Sequence, residues 1–74
     1  MTTNEIQAEL DKVESEIEQL RKTAHELRAS IGDEAGGPME PEDRAATLTQ
    51  AEEQEAIIET LEARRDDLKR ELGS

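Results

Sequence analysis

The sequence predicts an all-α protein, an antiparallel two-helix coiled-coil hairpin, from three observations. Ile6, Leu10, Val13, Ile17, Leu20, Ala24, Leu27 and Ile31 recur at alternating spacings of four and three, an unbroken heptad seam. A second apolar stripe, Ala45, Leu48, Ala51, Ile58, Leu61, Leu68 and Leu72, follows after the segment GDEAGGPME, which holds three of the four glycines. Phe, Trp, Tyr and Cys are absent, and nine of the apolar residues are Ala, so the 74 residues cannot fill a compact globular core. Long thin helices packed side by side are the remaining way to bury this set of side chains.

The first helix is expected over residues 4–31. Thr2 lies three residues before Glu5, the spacing of a capping box, and Gly32 directly after Ile31 can take the left-handed conformation that closes a helix. Polar and charged residues such as Glu14, Glu18, Lys22 and Arg28 fill the positions between seam residues, which keeps the stripe narrow. Residues 32–40 read as an acidic turn. The second helix is expected over 41–72, with Pro41 in its first turn, where the missing N–H costs nothing, and Glu42 and Asp43 at the positive end of its dipole. Lys69 and Arg70 suit its last turn, and Gly73 is its expected cap.

Two helices of similar length joined by about nine residues fold back on each other. Folding about the middle of the turn sets Ile6 opposite Leu68, Val13 opposite Leu61, Ile17 opposite Ile58, Ala24 opposite Ala51 and Leu27 opposite Leu48. Gln54 and Arg65 interrupt the second seam; Arg65 is expected to lay its stem along it and hold its guanidinium near Glu9 or Glu14. Ile57 lies beside the stripe and is the main surplus apolar residue, a possible second contact. With one face of each helix consumed by the hairpin, a monomer or weak homodimer is expected.

Composition also bounds function. Without Cys there is no disulfide, thiol catalysis or Cys-based zinc site, and His25 has no second His to share a metal. Two thin helices enclose no pocket for a nucleophile and base, so the chain is expected not to be an enzyme, with no catalytic residue, cofactor or metal. A formal charge of −11 opposes the phosphate backbone, so direct nucleic-acid binding is not expected. The longest apolar run is Ile57-Ile58, far below a membrane span, and no signal segment opens the sequence; a cytoplasmic protein is expected.

Charge is uneven along the chain. From Asp33 to Glu53 there are seven acidic residues and one basic residue, Arg44. An acidic end on a slim rod suits a basic or metal-containing site on a partner, since hard carboxylate oxygens add readily to a Mg²⁺ ion held elsewhere. The run Glu40, Pro41, Glu42, Asp43, Arg44, Ala45, Ala46 resembles the coiled-coil tip of the DksA/TraR family of bacterial RNA polymerase-binding regulators, in which an acidic-Pro-x-Asp-Arg-Ala-Ala run opens the second helix of an antiparallel hairpin. Ile57-Ile58 resembles that family's apolar pair further down the helix, displaced toward the tip by one heptad. The family's zinc-binding module, with its four Cys or their substitutes, and the helix after it have no counterpart in this sequence, and within the hairpin the resemblance covers about seven residues well and about 30 loosely.

The resemblance implies a hairpin that enters the secondary channel of RNA polymerase. It makes Asp43 the tip acid, Ala45 the small residue beside it, and Glu40, Glu42 and Arg44 their companions in a partner-binding tip. The alternative expectation is a structural or adaptor coiled coil that self-associates or binds a partner helix, in which the tip has no role.

Overall fold

The computed structural model describes residues 1–32 and 40–73, which form two α-helices: α1, Thr3–Gly32, and α2, Pro41–Gly73. They pack along their whole length into an all-α hairpin 52 Å long and 17 × 14 Å across. A helix of this many residues spans about 45 Å at ~1.5 Å per residue, so the long dimension is one helix length. The acidic residues Asp33 and Glu34 of the expected turn lie outside the described residues.

Local chemistry sets the helix starts. The Glu5 backbone N–H donates to Thr2 Oγ1 at 3.2 Å, the Thr2 hydroxyl donates to Glu5 Oε1 at 3.0 Å, and the Ile6 N–H reaches the Thr2 carbonyl at 3.0 Å. Thr2 is therefore the N-cap; Glu5 answers through the hydroxyl rather than through the backbone N–H of a full capping box. At α2 the Arg44 N–H donates to the Glu40 carbonyl at 2.8 Å, which makes Pro41 the first helical residue. The helix ends differ from expectation by one residue. Gly32 and Gly73 are both the last residues of their helices, and Gly73 does not adopt the left-handed backbone expected of a cap.

The core is the α1 seam set against a thinner α2 seam. Ile6, Leu10, Val13, Ile17 and Ala24 are buried with Ile58 and Leu68, while Leu20, Leu61 and Leu72 pack against them half-buried. Ala51 and Leu68 are fully buried. At about 25 cal/mol per Å² of apolar area, each buried Ile or Leu stabilises the hairpin by roughly 1.5–3 kcal/mol.

Ion pairs across the interface fix the register. Glu14 pairs with Lys69 at 3.8 Å, Arg21 with Glu62 at 2.6 Å and Arg28 with Glu55 at 2.5 Å, each step of seven residues along α1 matched by seven in reverse along α2. On the other flank Glu9 pairs with Arg64 at 3.1 Å. With the α1 seam lettered so that Leu10, Ile17 and Ala24 are a positions, the three-pair ladder joins e to e positions and the Glu9–Arg64 pair joins g to g. Midway between the flanks, Leu10 comes level with Leu68, Ile17 with Leu61, Leu20 with Ile58, Ala24 with Gln54 and Leu27 with Ala51. The expected pairs of Ile6 with Leu68 and of Val13 with Leu61 are thus offset by about one turn along the rod, although Val13 and Leu61 still line one groove together. Matching like positions across the seam was the error: antiparallel helices interleave a residues of one with d residues of the other.

Candidate functional site

The sequence places its candidate site in the first turns of α2, and the structure brings those residues together at the end of the rod where α1 finishes. Glu40, Glu42, Asp43, Arg44 and Ala45 are all exposed. Glu42 and Asp43 occupy the first turn, where the backbone N–H groups lack helical acceptors and favour nearby negative charge. Among the described residues none of the four charged side chains takes part in an ion pair.

Helical rotation distributes these side chains around α2. At roughly 100° per residue, Asp43 and Ala45 point about 200° apart, toward opposite sides of the helix. A flat partner surface cannot touch both; an enclosing one can. Asp43 takes a g position, on the same side as Gln50, Ile57 and Arg64, whereas Ala45 lies near the e side with Glu52 and Glu59.

The two flanks of the rod differ in chemistry. The e flank carries the three-pair ladder, within which Arg28 grips Glu55 with two bonds, Nε to Oε2 at 3.2 Å and Nη2 to Oε1 at 2.5 Å. That bidentate contact holds the Glu55 carboxyl below its ordinary value and raises the Arg28 guanidinium above its own. Arg65 fills a seam position on this flank beside Ile17 and Arg21, but its guanidinium turns back to its own helix, 3.0 Å from Asp66 and 4.0 Å from Glu62. The acids expected to receive it are engaged elsewhere, Glu9 by Arg64 and Glu14 by Lys69.

Among the described residues the g flank has one ion pair between the helices, Glu9–Arg64, at its base. Val13 and Leu61 line one groove beside that pair and Leu20 lines a second, and helical spacing sets Ile57 one turn from Leu61, with 47% of its surface exposed against 7% for its neighbour Ile58. Gln54 also lies on this side, and its Oε1 is buried without a hydrogen-bond partner. Sequence reasoning singled out Ile57 but missed the contrast between flanks. The signal was present in the opposite charges at e positions of both helices, legible once the register is known.

His25 is exposed and lines a shallow groove with Arg21, Arg28 and Glu55. Among the described residues no three acidic or His side chains gather as a metal site, and no helix is long and apolar enough to cross a membrane. Comparison with protein-family models, with curated proteins and with solved structures found no match.

Proposed function

We propose that this chain is a small acidic transcription regulator that binds bacterial RNA polymerase by inserting the tip end of its hairpin into the secondary channel. One observation carries the reading: the run Glu42, Asp43, Arg44, Ala45 stands exposed, in no ion pair among the described residues, at the end of a rod only 17 × 14 Å across. A channel is the kind of partner that such an end fits. It admits a slim rod, and it surrounds the tip, so that Asp43 and Ala45 can both be contacted although they face opposite ways. The likeness of this run to the DksA/TraR tip supplies the identity of the partner, and carboxylates near a channel floor suit a Mg²⁺ ion and basic side chains there.

The test is co-elution of the full chain with purified RNA polymerase on size exclusion, together with a competition assay against a hairpin regulator already known to occupy the secondary channel. Co-elution that the competitor abolishes supports the reading. Absence of co-elution at tens of micromolar, with helix content intact in the same buffer, ends it.

A further inference from the structure

The side of the rod offers a second surface, distinct from its end. Both flanks are grooved, but the e flank is spanned by its ion-pair ladder, whereas among the described residues no ion pair crosses the g flank above Glu9–Arg64. It presents Ile57, 47% exposed and one helical turn from half-buried Leu61, on the side of the rod where half-buried Leu20 lines a groove with Glu16 and Thr23. The Thr residues bordering it are already satisfied: Thr23 Oγ1 donates to the Gln19 carbonyl at 3.1 Å and Thr60 Oγ1 to the Ala56 carbonyl at 3.3 Å. Their hydroxyls face their own backbones, which leaves the flank more apolar than its composition suggests.

Its rim is mixed at the base, where Lys12 and Arg64 line a groove with Glu9 and Glu16, and acidic above. Glu16 and Glu26 of α1 and Glu53 of α2 border the upper part of the flank, all exposed and none in an ion pair among the described residues. The cations on this side, Lys12 and Arg64, lie at the base, and Arg64 is held by Glu9. A second copy packed parallel would bring the same carboxylates against their equivalents, and one packed antiparallel would offer them only Lys12 and an Arg64 already held by Glu9, on chains that each carry a formal charge of −11. An occupant must match an apolar floor and an acidic rim together.

We propose that the g flank docks one amphipathic helix of a protein partner, with an apolar stripe that covers Ile57, Leu20 and Leu61 and with Lys or Arg on either side of it that meet Glu16, Glu26 and Glu53. The product is a three-helix bundle in which the added helix lies along the rod. Ile57 is the knob of this contact and the three carboxylates set the choice of partner. The surface does not depend on the tip reading, because Asp43 and Ala45 stay outside it along the rod.

The probe is a synthetic helical peptide of about three heptads, the length needed to cover the flank at ~1.5 Å per residue, with Leu at a and d and Lys at e and g. Its twin carries Glu in place of Lys. Titration calorimetry with the full chain, in about 150 mM salt so that only close charges count, is expected to show one-to-one binding of the Lys peptide and none of the Glu peptide. Ile57→Gln, which keeps helix propensity at an exposed site, should weaken binding at least about tenfold through lost apolar burial. Glu53→Lys should weaken it too, whereas Glu18→Lys, the same charge change beside the e flank, should not. The proposal is overturned if the Lys peptide fails to bind, if Ile57→Gln binds it as wild type does, or if Glu18→Lys and Glu53→Lys act alike. Sedimentation as a stable dimer that Ile57→Gln dissociates would equally overturn it, since a second copy would then be the occupant.

Discussion

Asp43 and Ile57 lie two heptads apart on the same flank of α2, roughly 21 Å along the rod at ~1.5 Å per residue, one in the exposed acidic first turn and the other the exposed apolar knob. End and side therefore present different chemistries on one line of the molecule. Because each is exposed and outside the core, both can be altered without disturbing the packing of Ile17, Ile58 and Leu68.

Asp43→Asn removes one charge at nearly constant shape. Helix content should hold within error, while association with RNA polymerase falls. Ala45→Thr adds bulk on the opposite side of the same turn and costs at most about 0.7 kcal/mol of helix propensity; binding should fall by more than that accounts for. If both variants associate as wild type does, the tip is not the contact surface.

The helices themselves were legible because one seam is unbroken and both starts carry position-specific residues, Thr2 with Glu5 and Pro41 with Glu42. The register was not. It depends on how many residues the connection consumes, and Ala, Gln54 and Arg65 along α2 make its stripe too weak to choose among alignments a turn apart. The charged residues decide it, since Glu14, Arg21 and Arg28 meet Lys69, Glu62 and Glu55 in only one alignment. The exposure of Glu42, Asp43 and Arg44 was legible from the helix start alone; the contrast between the flanks required both helices in place.

Acidification should act on the ladder with a defined sign. Arg28 holds the Glu55 carboxyl below its ordinary value of 4.5, so the contact stabilises the hairpin fully above that pH and is lost as pH falls through the lowered folded value. Melting curves of wild type and Arg28→Gln should differ at neutral pH and converge on acidification below about 4.5. Using the difference removes the general relief of carboxylate repulsion, which both chains share. Curves whose separation is unchanged down to pH 3 would count against the bidentate contact.

Salt should raise the melting temperature. The ion pairs are exposed, and each contributes about 0–1 kcal/mol even before screening. Against them stands repulsion among carboxylates in no ion pair among the described residues, including Glu16, Glu26, Glu53 and Glu59, in a chain of formal charge −11. Screening weakens both, and the repulsive set is larger. Circular dichroism melts in low and moderate salt decide the sign; a fall in melting temperature would mean that the ladder dominates.

The seam itself has one replaceable defect. Gln54 occupies a d position level with Ala24, and its Oε1 is buried without a donor, a loss of about 1–3 kcal/mol relative to a satisfied group. Ala24 opposite leaves room, so Gln54→Leu exchanges an unpaired carbonyl for apolar contact with Leu20, Leu27 and Ile58 without forcing a large side chain against another. Stability should rise by about 1 kcal/mol or more, seen as a higher denaturant midpoint with an unchanged slope. Gln54→Ala removes the same carbonyl but adds no packing, so it should fall between wild type and Gln54→Leu. If both variants are less stable than wild type, Gln54 has a hydrogen-bond partner in solution and the seam is better satisfied than its geometry indicates.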